Sequence, residues 1–232
     1  MEDPSRAVRD GLLVLLTLTT GAVDAACFLH LGHVFSSVIT GNLVLLAVAA
    51  GTHDPSLAIH SGVALAGYSA GVLLAAPIGA NRADDGTWPP SVTVTLVAEF
   101  CALAVFSAGW EITGGRPGGT AQVLLIAALA AAMGMQSAAV RKLGGMSTTY
   151  LTGTLTSVIA GLVTRDRPPG FARSIGVLIA IVPGAVAGSL VAQDAPAWLP
   201  AVILAPLAGV VIASVAGFEP VKIHFHPRRG RP

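Results

Sequence analysis

The stretch GLLVLLTLTTGAVDAACFL, Gly11–Leu29, decides the fold. It is apolar over nearly its whole length, and about 20 such residues suffice for a helix to cross the roughly 30 Å hydrocarbon core of a bilayer. It nevertheless carries a carboxylic acid, Asp24, about two thirds of the way along. An ionisable group in a span costs about 2.5–3.5 kcal/mol on insertion scales, so Asp24 is expected to face a cavity or a partner.

Seven further apolar segments follow: 35–50, 57–80, 92–110, 121–140, 148–163, 175–192 and 199–218. The second and sixth of the eight are short and carry Thr, Ser and Gly, which suits a tilted, broken or re-entrant helix. The expected fold is all-α and membrane-integral, with about eight hydrophobic segments in two similar four-segment halves. The alternative is six spans plus two re-entrant segments. Composition agrees. The 232 residues are 53% hydrophobic and 11% charged, with mean hydropathy +0.76. Soluble domains average about 25% charged residues, so a soluble enzyme is a poor reading of this composition. Thirteen Lys and Arg stand against twelve Asp and Glu, which gives no signal for nucleic acid. Cys27 and Cys101, both in apolar runs, read as buried fillers, and neither a disulfide framework nor a metal site is indicated.

With eight crossings and a cytoplasmic N-terminus, the cytoplasmic segments hold all the basic residues except Arg82, Arg141 and Lys142. The expected organisation is a cytoplasmic segment 1–10, a first membrane repeat 11–110, a second repeat 121–218 and a basic cytoplasmic tail 219–232. The first apolar run leads straight into further membrane segments, so it does not read as a secretory signal. The tail, with His224 and His226, is expected to meet anionic headgroups. Trp88, Trp110 and Trp198 fall near segment ends, as an interfacial belt would place them.

Laying residues 24–42 over residues 136–154 sets Asp24 on Gln136, Gly32 on Gly144, Ser36-Ser37 on Thr148-Thr149 and Thr40-Gly41 on Thr152-Gly153. Asn42 falls on Thr154, and further on Gly67-xxx-Gly71 resembles Gly184-xxx-Gly188. Four crossings per half give parallel repeats; an odd number gives inverted repeats.

Some of these residues also carry a family resemblance. Gly21-Ala-Val-Asp24-Ala-Ala-Cys-Phe28, Leu31-Gly32-His-Val-Phe35 and Thr40-Gly41-Asn42 resemble the signature of the YoaK-like family of bacterial multi-pass membrane proteins of undefined function. Met133-Gly134-Met135-Gln136-Ser137-Ala138 and Thr152-Gly153-Thr154 resemble its other conserved stretch. The resemblance spans roughly residues 10–217. It implies a bacterial inner-membrane location and no established substrate, catalytic residue or cofactor.

Two acids could carry protons. Asp24 reads either as a protonation or cation site or as a cap on a helix restarting near Gly21. Glu99, flanked by apolar residues on both sides, reads either as a proton carrier or as a carboxyl hydrogen-bonded between helices. Thr40, Gly41 and Asn42, with Gln136, Thr152, Gly153 and Thr154, are the candidate substrate-binding residues. They would sit at an unwound stretch at membrane depth, or else serve a close helix crossing. The Gly67 and Gly184 motifs read as packing faces, and Pro77, Pro183 and Pro206 as kinks. His30 and His33 flank Gly32 without a convincing third metal ligand, and Arg141-Lys142 reads as ordinary loop charge or a cationic mouth.

The leading expectation is a small-solute transporter or channel, possible coupling being to protons through Asp24 and Glu99. The alternative is a non-transporting assembly or sensing protein. An enzyme is not expected, because no HExxH, GxSxG or paired-carboxylate pattern occurs. No cofactor or nucleic-acid partner is expected; the partners are membrane lipid, a small solute and, for a homo-oligomer, further copies of the chain.

Overall fold

A computed structural model describes residues 4–79, 87–143, 151–165 and 170–217. Arg82, Gly144, Thr148, Thr149 and the tail 219–232 lie outside these residues. The described chain is all helix and turn. Its helices are α1 (Pro4–His30), α2 (Ile39–Thr52), α3 (Pro55–Ala75), α4 (Pro90–Ile112), α5 (Gly119–Arg141), α6 (Leu151–Thr164), α7 (Phe171–Asp194) and α8 (Leu199–Gly217). A 3-10 turn, Pro196–Trp198, leads into α8. The protein is an all-α integral membrane protein, with a helix in each of the eight expected segments.

Six of these helices are long and apolar enough to cross a membrane; α2 and α6 are not. Each short helix has 14 residues. At 1.5 Å per residue that is about 21 Å, well short of a hydrocarbon core of about 30 Å.

Contacts at the helix ends settle the directions. The ring of His30, ending α1, packs edge-on against Trp110 near the end of α4, with centroids 5.7 Å apart. The ring of His60, early in α3, covers Gly32 just past α1. The Trp110 Nε1 donates to the Pro196 carbonyl at 2.8 Å, while Thr93 at the start of α4 donates to the Ser214 hydroxyl late in α8 at 3.1 Å. At the opposite end of the bundle Arg173, early in α7, pairs with Asp10 of α1 at 3.4 Å, and the Lys142 ammonium donates to the Ile78 carbonyl. So α1, α4 and α7 run one way and α3, α5 and α8 the other. Full crossings by α2 and α6 would reverse this, so the arrangement is six spans with two re-entrant helices. Lys142 accordingly lies at the same end as Asp10, where an eight-crossing chain would have separated them.

The largest fully buried side chains, among them Leu16, Leu96, Phe106, Trp110, Ile126, Met133 and Leu207, come from α1, α4, α5 and α8, apart from Leu31 just past the end of α1. These four helices form the centre. Outside them α7 packs on α1, and α3 packs on α5. Glycines make both flanking contacts. Gly184 and Gly188 of α7 lie on the backbone of Leu18 and Ala22, while Gly21 of α1 lies on Ile181 and Ala185. In the other pair Gly67 and Gly71 of α3 lie on Ala127 and Ala131, and Gly134 of α5 lies on Tyr68 and Val72. Without side chains at these points the backbones approach closely, and packing rather than hydrophobic transfer is what holds helices together in lipid. The outer faces carry exposed Leu73, Leu74, Ile179, Val182, Val186 and Leu190, a surface suited to acyl chains and not to water.

Three expectations change at this level. Cys101 is exposed and only Cys27 is buried, because position 101 falls on the outer face of α4. Trp88 and Trp110 are buried, and their indole N–H groups bond to Thr93 and Pro196; Trp198 alone is exposed, so the three do not form a belt. Pro77 falls past the end of α3, whereas Pro183 and Pro206 lie inside α7 and α8.

Candidate functional site

The first re-entrant segment is built around Asp24. Helix α1 runs unbroken through Gly21 and ends six residues beyond Asp24, which puts the carboxylate about 9 Å along the axis from that end. Positive φ at Gly32 (95°) and His33 (59°) then turns the chain back on itself. Gly32 alone could fit here, because the His60 ring occupies the space a Cβ would need.

The returning chain docks on Asp24. Its Oδ1 accepts the Ser36 N–H at 2.8 Å, the Ser36 hydroxyl at 2.7 Å and the Ser37 N–H at 2.9 Å; Oδ2 accepts the Ser37 hydroxyl at 2.5 Å. Asn42 closes the loop from the other side. Its Oδ1 accepts the Phe35 N–H at 3.0 Å and its Nδ2 donates to the Phe35 carbonyl at 2.5 Å. These bonds satisfy backbone groups that would otherwise face hydrocarbon unpaired. Helix α2 then climbs back out. His53 in the left-handed conformation ends it, and the Asp54 side chain caps α3 by accepting the Leu57 N–H at 3.0 Å.

The start of α2 opens on a cavity of about 870 Å³. Asp24, Ser37 and Thr40 contribute to its wall, together with Phe35, Val38 and Ile39 from the turn into α2. The start of α6 forms the facing wall through Leu151, Thr152, Gly153 and Thr156, and Tyr68 of α3 and Ile181 of α7 complete it. The two short helices thus enter from opposite ends of the bundle and begin at one cavity. Their first turns bring the positive ends of two helix dipoles toward it.

The expected site residues divide between this cavity and other places. Asp24, Thr40, Thr152 and Gly153 line it. Gly41 lies behind the wall against Phe35 and Val38, and Asn42 is fully buried as the clamp on Phe35. Thr154, in the first turn of α6, is not part of the wall. Gln136 is fully buried between α5 and α1, where its Nε2 donates to the Thr20 hydroxyl at 2.9 Å and more weakly to the Leu16 carbonyl at 3.4 Å. Glu99 is fully buried on α4, away from the cavity, and neither carboxyl oxygen has a hydrogen-bond partner among the described residues. The break in helical structure comes before Thr40, over residues 31–38, because Ile39 already begins α2.

Sequence reasoning missed Ser36, Ser37, Phe35, Tyr68, Thr156 and Ile181. A Ser-Ser pair twelve residues after an intramembrane acid was the available signal for the first two. Tyr68 and Ile181 carried none, since only packing brings α3 and α7 to the cavity. Among the described residues no three His, Cys, Asp or Glu side chains come together as a metal site. His33 packs its ring against Phe28 and His30 against Trp110.

Comparison with known proteins agrees with this architecture. The model of a family described as "Protein of unknown function (DUF1275)" matches residues 12–213. The UPF0700 transmembrane protein YoaK of Bacillus subtilis (strain 168) is 35% identical over 161 residues, covering 68% of this chain and 69% of the relative. No solved structure matches. A family match over most of the length, a transmembrane relative and six apolar spans together make this chain a multi-pass membrane protein belonging to the DUF1275, or YoaK-like, family.

Proposed function

We propose that the protein is a small-solute transporter of the bacterial inner membrane, with its substrate site in the cavity between the starts of α2 and α6. One observation carries the reading: two re-entrant helices from opposite ends of the bundle begin at the same cavity. Broken helices at membrane depth are tolerated where they line a cavity, and transporters use their ends to hold solutes near the midplane of two inverted repeats. Asp24, Thr40, Thr152 and Gly153 are the substrate-facing residues. Glu99 is the coupling acid, as a buried carboxyl with no hydrogen-bond partner among the described residues is suited to exchange a proton.

The inverted-repeat reading is supported by the packing. Setting Gly21 on Gly134 sets Gly71 on Gly184, Tyr68 on Ile181 and Val72 on Ala185, so the Gly21 and Gly184 contacts of α1 with α7 have counterparts in the Gly134 and Gly71 contacts of α5 with α3. Charge supports a cytoplasmic N-terminus: with six crossings, every Lys and Arg except Arg116 falls on the cytoplasmic side.

The test is a flux assay. Purified protein in liposomes loaded with a pH dye is challenged with amino acids, sugars, small anions and small cations. Saturable, solute-dependent proton movement that Glu99→Gln abolishes is the expected result. Silence across the panel from folded wild-type protein contradicts the reading and favours an assembly or sensing role.

A further inference from the structure

We propose that the solute held in this cavity is a small organic cation, its ammonium group set against the free edge of Asp24 between Phe35 and Tyr68. The inference deepens the transport reading and rests on it for the passage of the bound solute across the membrane.

The charge inventory points this way first. Among the described residues the wall contains one carboxylate, Asp24, and no Lys, Arg or His. Two described basic groups at the Asp10 end of the bundle are committed elsewhere, Lys142 to the Ile78 carbonyl and Arg173 to Asp10. An anion would enter a space whose fixed side-chain charge repels it. Asp24 Oδ1 takes the Ser36 and Ser37 N–H groups just ahead of α2, so a carboxylate already stands at that helix's positive end, and the positive end of α6 is left to the polar end of the solute.

The carboxylate also has capacity to spare. Two carboxylate oxygens offer about four acceptor sites with good geometry, two on each. Oδ1 takes three donors, whereas Oδ2 takes the Ser37 hydroxyl alone. The residue is 8% exposed, and it forms part of the cavity wall. A cationic group therefore belongs beside Oδ2: an N⁺–H donates to it, and a quaternary ammonium, which has no donor, is held there by complementary charge alone.

The walls suit an organic cation and not a bare metal ion. Phe35 and Tyr68 are aromatic, and a cation near a ring face is attracted by the negative face of the ring quadrupole. Phe35 is held in place twice, by stacking on Phe28 with centroids 5.1 Å apart and by the Asn42 clamp on its backbone. A volume of about 870 Å³ is far beyond the needs of a single ion and lies in the range of small-molecule sites. The Thr40 and Thr152 hydroxyls are left for the polar end of such a solute, while the Thr156 hydroxyl already donates to the Thr152 carbonyl at 3.0 Å.

The test is binding of radiolabelled choline to the full chain in lipid nanodiscs, with tetramethylammonium, uncharged dimethylbutanol (the carbon isostere of choline) and acetate as competitors. Saturable binding is expected, displaced by tetramethylammonium and at least about tenfold less well by dimethylbutanol, with no effect of acetate. Asp24→Asn should weaken binding about tenfold or more. Because Asp24 also anchors the re-entrant segment, Tyr68→Leu provides a second readout on a continuous helix, with an expected loss of about three- to tenfold. Folded protein that binds neither cation, or that binds choline and dimethylbutanol equally, overturns the proposal. Flux of a neutral or anionic solute without cation binding would leave transport standing and remove the cation assignment. Choline binding with these dependences but no flux of any solute would do the reverse.

Discussion

Asp24 and Asn42 act as a pair of clasps. One fixes the descending chain at Ser36 and Ser37, the other fixes it at Phe35, and between them they hold non-helical backbone inside the membrane. Asn42→Ala removes two part-buried hydrogen bonds and leaves the Phe35 N–H and C=O without the partners they have here. A loss of about 1–3 kcal/mol is expected from such orphaned groups, read as a lower midpoint in thermal unfolding in detergent; an unchanged midpoint would remove Asn42 from this role. Glu99→Gln differs in kind. It keeps shape and burial, ends proton exchange, and breaks no hydrogen bond among the described residues. Stability should hold or rise while coupled flux is lost, and the two readouts together separate a coupling acid from a structural one. Asp24, Glu99 and the Thr-Gly pairs were legible in the sequence because charged or polar groups in apolar runs demand an explanation. Their division of labour was not legible: whether an oxygen in a span faces a cavity or bonds a neighbouring helix depends on rotation and depth. Gln136 looked like a cavity residue and is a bond between α1 and α5.

The elements follow from where glycine is placed. A Cβ on Gly184 would sit 2.9 Å from the Leu18 Cα, and one on Gly188 would sit 2.6 Å from the Ala22 Cα. These neighbours are backbone and cannot swing aside. Gly184→Leu should therefore separate α7 from α1 and cost about 1–3 kcal/mol or more, whereas Gly51→Ala and Gly62→Ala, with no heavy atom nearby, should be neutral or stabilising by up to about 1 kcal/mol. Equal losses at all three positions, measured by thermal unfolding, would contradict the packing account. The same glycines show a limit of sequence comparison. Gly67-xxx-Gly71 was matched to Gly184-xxx-Gly188, but the contacts pair Gly71 with Gly184. A motif spaced by four residues repeats about once per helical turn, so a slip of one turn preserves the match and only the neighbouring helix reveals it.

At the scale of the whole molecule, eight apolar segments were visible, and their number did not give the number of crossings. Composition cannot distinguish a short helix that crosses from one that turns back. The distinction rests on the return of Ser36 and Ser37 to Asp24, and on the opposed directions of α4 and α8. Six crossings predict that a cysteine at Arg116 reacts with an impermeant reagent only from the face opposite both termini; reaction from the terminal face would contradict the topology. The central claim is that solute passes through the cavity where α2 and α6 begin. Its most direct test is a Thr152→Cys variant lacking Cys27 and Cys101, reconstituted in liposomes and treated with a membrane-impermeant thiol reagent. The account predicts that the thiol reacts from water, that reaction stops flux, and that the transported solute protects against it. A thiol that stays unmodified from both faces, or one that is modified while flux continues unchanged, would contradict the account.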